Sequence, residues 1–309
     1  MKTLTIEVRA DERGRTLQAL LHDRGGFSHA EARGLIDAGA VRGQSLIAPG
    51  QYARRVRPGE LYVVRHEEGR RYHPRPPSPP GRGFRIVHQD RHLLVIDKEP
   101  DLLSVPTSLR REESLVERLL EAERRRGVRH PALYAVHRLD RDTSGLILYA
   151  RSRQALEGLQ RQFAARAVER TYVAVASGMV GPARGRLTSR LVEDPRSLKM
   201  RSVSQGDAGK EAITDYEVSE RLADATVLSV RIATGRKNQI RVHLAEAGHP
   251  LVGDRRYGRR SPLIGRTALH ARSLAFVHPV SGRPARFESP LPGDLKRLIR
   301  QLRVRPGPR

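Results

Sequence analysis

The chain has no cysteine and no tryptophan, and only 4% of its 309 residues are aromatic. Without Cys, disulfides, thiolate zinc sites and thiol nucleophiles are all excluded. So few rings leave no broad platform for stacking single-stranded bases, and any base stacking must rest on one or two residues. Long apolar runs are missing too. No segment reaches membrane-spanning length, and the opening MKTLTIEVRADERGRTL alternates and carries charge throughout instead of forming an apolar signal region. A cytoplasmic protein with no membrane partner is the expectation. Acidic residues are scarce beside basic ones, 34 against 58, for a formal net charge of +24. All but six of the basic residues are Arg, whose planar fork suits phosphate. Part of this excess reflects coding bias and solvated surface, but its size points to a polyanion and, among polyanions, to nucleic acid.

The length accommodates one large domain and one small one. HEEGRRYHPRPPSPPGRG, residues 66–83, disfavours both helix and sheet and reads as an extended linker. It divides the chain into a unit over 1–66, a linker over 67–83 and a larger unit over 84–303, with a disordered tail over 304–309. In the first unit GRTLQALLHDRG has helical apolar spacing. SHAEARGLIDAGAVRG opens with Ser28 followed three residues later by Glu31, a capping-box signature. SLIAPGQYARRVRPGELYVVRH suits small strands joined by turns.

In the second unit FRIVHQDRHLLVIDKEP reads as two strands across a turn, SLVERLLEAERRRG as an amphipathic helix and LILYA as a strand. SRQALEGLQRQFAARAV reads as a helix capped by Ser152. RTYVAVASG and ATVLSVRIATG are strands, and KNQIRVHLAEAG is a short helix stopped by Gly248. The fold class expected is α+β: a domain with a mixed, mostly antiparallel sheet, preceded by a small α/β domain.

Chemistry concentrates in YAVHRLDRDTSGLILYA, residues 134–150, where Arg138, Asp140, Arg141 and Asp142 interrupt two apolar runs. Thr143, Ser144 and Gly145 allow a tight turn. Arg138 and Arg141 are expected to surround Asp140 with positive charge, which favours the charged form of a carboxylate. A structural salt bridge is the commoner use of such an Asp. His137, Asp140 and Asp142 as metal ligands lack an HExxH or a carboxylate cluster elsewhere. Ser144 as nucleophile lacks the GxSxG elbow, and phosphate binding at TSG lacks a Walker pattern.

VHRLDRDTSGLILYA closely resembles the signature of the RluA-type pseudouridine synthases. LLVIDKEPDLLSVP, ERTYVAVASG, ATGRKNQIRVHLAEAGHPLVGDRRYG and LHARSLAFVHPVSGRPARFESPLP resemble further segments of that family in the same order, over residues 84–293. Residues 14–66 resemble the S4 RNA-binding domain, although Arg42-Gly43-Gln44 stands where that family commonly has Asn-Gly.

The resemblance implies isomerisation of uridine in RNA: the bond from ribose C1′ to base N1 breaks, the base turns, and C1′ joins C5. No metal or organic cofactor is called for. By the same resemblance Asp140 is the catalytic Asp, Tyr172 stacks on the uracil, and Arg241 pairs with Asp140. Arg138 takes the place of a base flipped out of folded RNA. His137 and Thr143 join the RNA-binding set. Arg236 touches phosphate or shapes its turn, and Lys98 lines the pocket or lies on the surface. Asn238 replaces a family His and is expected to cap the helix carrying Arg241. Lys98-Glu99-Pro100 replaces the family's Lys-Pro. The S4-like module favours large-subunit ribosomal RNA as partner, and a monomer is expected. The rival readings are a non-catalytic RNA-binding or ribosome-assembly factor that kept the fold, and a synthase acting on transfer RNA.

Overall fold

Alternation in KTLTIE turns Leu4 and Ile6 to one side of the first strand, β1 (Lys2–Glu7), in a computed structural model describing residues 1–44, 47, 51–67, 72, 83–106, 113–204 and 209–304. Helix α1 (Leu17–Gly25) starts where the Thr16 side chain accepts the Ala19 N–H, and stops at Gly26, which is left-handed with φ 70°. Helix α2 (His29–Asp37) carries the reciprocal box read from sequence: Ser28 Oγ accepts the Glu31 N–H at 3.2 Å and Glu31 accepts the Ser28 N–H at 3.0 Å. Strands β2 (Val41–Arg42) and β3 (Leu61–His66) complete an antiparallel sheet in the order β1-β3-β2. Leu17, Leu20, Leu35 and Ile36 pack on Ile6, Tyr62 and Val64 as a separate core. Two helices against a small sheet fit the order of an S4-like domain; the contribution of β1 to that sheet was not anticipated.

Most of the expected linker and the last five residues lie outside the described residues. Within the linker, Tyr72 packs on the N-terminal core and its hydroxyl accepts the Glu67 N–H at 3.0 Å. That end of the segment is therefore part of the small unit.

The second unit opens with a hairpin, β4 (Phe84–Gln89) and β5 (Leu93–Lys98), whose turn is held by Asp90 accepting the His92 and Leu93 N–H groups at 2.7 Å. Helix α3 (Leu115–Arg125) has its own Ser114–Glu117 capping box. It is followed by the short β6 (Tyr134–Ala135), β7 (Ser144–Ala150), and α4 (Arg153–Ala164), capped by Ser152. Strands β8 (Glu169–Ser177), β9 (Arg184–Glu193), β10 (Met200–Val203), β11 (Lys210–Arg221) and β12 (Ala225–Ile232) lead into α5 (Gln239–Glu246). Strands β13 (Leu269–Val277) and β14 (Pro284–Glu288) and helix α6 (Gly293–Val304) close the chain. The helix runs one residue past the boundary expected at 303, and the rest of the expected tail lies outside the described residues.

These strands form one sheet, with β10-β9-β11-β12-β8-β13-β7-β5-β4 as its main path, β14 beside β13 and β6 beside β7. Only the β7–β13 pairing is parallel among the described strands. Strand β7 is buried on both faces, with Ile147 and Tyr149 in one core and Leu146, Leu148 and Ala150 in the other. That explains why its apolar run does not alternate.

The parallel seam positions the site. Gly145, at φ 110°, pairs with Ala271, and a Cβ there would lie 2.2 Å from the Ala271 carbonyl oxygen. Only a glycine allows so close an approach. Register then sets Lys98, Gly145, Ala271, Tyr172 and Val230 in one lateral row across five strands. The loop before β7 is thereby drawn over Tyr172. Among the described residues no helix is long and apolar enough to cross a membrane.

Candidate active site

Asp140 sits in the loop between β6 and β7, and four consecutive carbonyls of that loop each have a donor. Ser104 Oγ donates to Leu139 O at 2.8 Å, and the Thr143 N–H donates to Asp140 O at 3.1 Å. Lys98 Nζ donates to Arg141 O at 2.9 Å, and Arg266 Nη1 to Asp142 O at 3.2 Å. Ser104 also accepts the Leu139 N–H at 3.1 Å, while Arg266 is anchored by Asp294 at 2.7 and 3.0 Å. A backbone satisfied at every step is held in one conformation, so the Asp140 carboxylate is presented from a rigid support.

Arg241, from α5, meets it: Nη1 donates to Asp140 Oδ2 at 3.2 Å. The rest of the guanidinium is fixed from behind. Nε and Nη2 make a two-pronged contact with the fully buried Asp254 at 2.7 and 2.9 Å, and the Tyr257 ring lies 5.2 Å away. Burial opposes the Arg241 charge, but the hydrogen bond to Asp254 and the charges of Asp140 and Asp254 outweigh it and hold the guanidinium protonated. Asp254 pays the opposite desolvation penalty and still falls below the usual carboxylate range, because Arg241 and the Arg256 and Tyr257 N–H groups bind its anion.

Asn238 precedes this helix in a left-handed conformation, φ 54°, and does not cap it through its side chain, contrary to expectation. Its Oδ1 accepts from Arg241 Nη1 and its Nδ2 donates to the Tyr257 hydroxyl, both at 3.1 Å. Gln239 fastens the first turn instead, accepting the Arg236 N–H at 3.0 Å and donating to Ile213 O at 2.9 Å. The side chain spent on Arg241 cannot also reach the free N–H groups of the helix.

Asp140, Tyr172, Arg241, His137, Arg138 and Thr143 all line one open cleft of about 620 Å³, and Arg236 lies at its edge, its Nε donating to Glu211 O at 2.9 Å. Tyr172 faces the same way as Ala174 and Ala176, whose small side chains keep its strand face shallow. Burial raises its phenol above the ordinary value, so the hydroxyl keeps its proton at neutral pH. His137 stacks on Phe163 and its Nε2 accepts the Leu148 N–H at 3.0 Å. Burial, reinforced by the Arg170 charge, lowers its pKa to about 3, so the ring is neutral. Arg138 is exposed at the rim.

Two expectations need correction. Arg141 does not embrace Asp140; its Nε bonds Asp101 at 2.7 Å, and Arg241 supplies the cation. Lys98 neither lines the cleft nor lies on the surface. It is 1% exposed beneath the loop, its Nζ bonded to the carbonyls of Glu99 and Arg141. Burial lowers its pKa to about 7, against the opposing pull of Asp140 and Asp142. Among the described residues no group of His, Asp and Glu is arranged to hold a metal ion.

A carboxylate, a guanidinium fixed behind it and an aromatic wall in one basic cleft suit chemistry on a base with its sugar. The profile of the family described as RNA pseudouridylate synthase matches residues 92–246, which contain Asp140, Tyr172 and Arg241. The chain belongs to that family. The synthase is 37% identical over 215 residues to "uncharacterized RNA pseudouridine synthase YjbO" of Bacillus subtilis (strain 168), covering 70% of this chain and 75% of the relative. Over nearly its whole length, 98% against 97%, it is 30% identical to "ribosomal large subunit pseudouridine synthase D" of Zymomonas mobilis. In fold the synthase resembles the structure "Human RNA Pseudouridylate Synthase Domain Containing 4", with TM-score 0.59 and 24% identity, over 72% of this chain and 94% of that one.

Sequence reasoning about the synthase missed Asp254, Ser104 and Arg266. A signal existed for the first, since Asp254 lies in the GDRRYG that closes the segment carrying Arg241. Ser104 and Arg266 act on backbone carbonyls distant in the chain, which no local motif reveals.

Proposed function

We propose that the synthase isomerises uridines of large-subunit ribosomal RNA with Asp140 as the nucleophile. The observation that carries the reading is the Asp140 carboxylate, 3.2 Å from Arg241 Nη1, in the cleft that Tyr172 walls. In the reaction the C1′–N1 bond breaks and the uracil turns. A C1′–C5 bond then forms, with a proton lost from C5 and one gained at N1, so there is no net redox change or hydrolysis. Asp140 supplies the anion that attacks or stabilises the electron-poor sugar or base. Arg241 aims it, and Asp254 keeps Arg241 from swinging away. Tyr172 offers its ring face to the turned base and its phenol for proton transfer. Arg138, exposed at the rim, fills the gap left in the RNA by the flipped base. Arg236 meets phosphate, while His137 and Thr143 shape the wall. Lys98 acts through the loop as a positioning residue.

Ribosomal RNA is favoured by the name of the Zymomonas relative, which matches from end to end, and by the S4-like unit shared with the expectation for such enzymes. The test is carbodiimide mapping of pseudouridine in RNA from cells with and without the gene, and in transcribed large-subunit RNA incubated with purified protein. One or a few ribosomal uridines are expected to change. Asp140→Ala should abolish turnover while leaving RNA affinity within a few-fold, because binding rests on many phosphate contacts. Modification confined to transfer RNA would remove the ribosomal assignment, and near-normal turnover by Asp140→Ala would remove the nucleophile.

A further inference from the structure

Among the described residues, buried arginines face carboxylates, with one exception. Arg241 and Arg266 are each 8% exposed, and each is clamped by an aspartate, Asp254 and Asp294. Arg170 is 7% exposed and has no carboxylate within ion-pair distance among the described residues. It lies on β8 two residues before Tyr172, on the same strand face, and lines the cleft. Its guanidinium rests 5.1 Å above the Phe163 ring. Only Nη2 finds acceptors, the carbonyls of Ile232, Ala233 and Thr234, at a long 3.4 to 3.5 Å. Nε has no hydrogen-bond partner among the described residues. Nη1 points at Gly235, where a Cβ would stand 2.8 Å from it, so the glycine leaves that nitrogen uncovered.

A buried cation without a counter-charge is costly, and such a group is kept where something anionic arrives to pair with it. We propose that Arg170 is the receptor for a backbone phosphate at the flipped nucleotide, completing its ion pair only when RNA enters the cleft. This rests on the reading of the cleft as the uridine site. A phosphodiester supplies both the missing negative charge and an oxygen acceptor at Nη1, the nitrogen that Gly235 leaves uncovered. A uracil carbonyl supplies acceptors but leaves the charge uncompensated. Lys237, which lines the same cleft, is paired with Glu193, while Arg236 donates to the Glu211 carbonyl and stays open to a phosphate of its own; of the buried arginines Arg170 is the one held without a counter-charge.

The experiment uses a synthetic RNA hairpin carrying a mapped uridine, with full-length wild type, Arg170→Gln, Arg170→Lys and Gly235→Ala. Affinity is measured against salt concentration, and melting temperature without RNA. Losing one phosphate contact should flatten the slope of log K against log salt by about 0.7–0.9 in Arg170→Gln, with an affinity loss of roughly tenfold at low salt. Arg170→Lys should keep the slope. Gly235→Ala should behave like Arg170→Gln, because it covers Nη1 without removing the charge. Without RNA, Arg170→Gln should melt no lower than wild type, having lost an unpaired buried cation. An unchanged slope in Arg170→Gln overturns the proposal, whether turnover falls, which would indicate a uracil contact, or the protein merely melts earlier, which would indicate a structural role. Binding is read independently of turnover, so a wild type that modifies no uridine would defeat the functional reading without being mistaken for this outcome.

Discussion

At the scale of single residues, the site is a chain of supports ending in one carboxylate. Asp254 fixes Arg241, and Arg241 aims Asp140. Removing a partner from a buried ion pair leaves the other charge stranded and typically costs about 3–5 kcal/mol. Asp254→Asn should therefore lower stability by about 3 kcal/mol in urea titration and cut single-turnover rate by at least tenfold while RNA affinity stays near wild type. An unchanged rate would show that Arg241 does not need Asp254.

Lys98 makes a pH-dependent prediction. Its amine is buried with two carbonyl acceptors, and its pKa falls from 10.5 to about 7. Between those values the unfolded chain binds more protons than the folded one, so stability rises with pH across that window. Lys98→Met lacks this dependence and leaves the Arg141 and Glu99 carbonyls unpaired, at a cost of about 1–3 kcal/mol. The stability advantage of wild type over Lys98→Met should accordingly widen from pH 7 to pH 10, measured by denaturant midpoints. A gap that stays constant or narrows would mean that Lys98 is charged in the folded protein.

At the scale of elements, the decisive contact is the seam between β7 and β13. Their parallel pairing carries the Asp140 loop over Tyr172, and it depends on Gly145, since a Cβ would collide with the Ala271 backbone at 2.2 Å. The φ of 110° adds strain for any other residue. Gly145→Ala should destabilise the protein by more than about 3 kcal/mol and suppress pseudouridine formation, seen as a lower melting temperature and a flat time course. A variant that melts normally and turns over normally would show that the seam opens without consequence.

Helices α2 and α4 were legible from their caps, the Ser28–Glu31 spacing and the Ser152 hydroxyl, and α1 and α3 from their apolar spacing, all local devices written into consecutive residues. Strands β9, β10 and β11 were less so. In RGRLTSRLVE and KEAITDYEVSER the outward positions carry Arg, Glu and Asp that form cross-strand pairs such as Arg186–Asp215, and that charge blurs the alternation a strand is recognised by.

For the whole molecule, hydrophobic cores that each stay within one unit and one strong positive charge set the behaviour. The core of residues 6–72 is built entirely from its own segment, as is that of the catalytic sheet. Deleting residues 1–66 should weaken binding to large-subunit RNA by tenfold or more while changing the single-turnover rate at saturating enzyme by less than threefold, order-of-magnitude figures that follow from phosphate contacts carrying affinity. Equal affinity with and without those residues would reduce the small unit to a structural cap.

The sequence alone determined the family, the order of most elements and the identity of Asp140, Tyr172 and Arg241 as candidates, because each is carried by a short motif whose meaning is local. The tertiary structure decided their partners. That Arg241 and not Arg141 answers Asp140, that Lys98 is buried under the loop, and that Arg170 stands unpaired in the cleft all depend on strand register and on contacts between residues far apart in the chain. Charge beside charge in a sequence says only that the two can meet; burial and geometry choose which pair does.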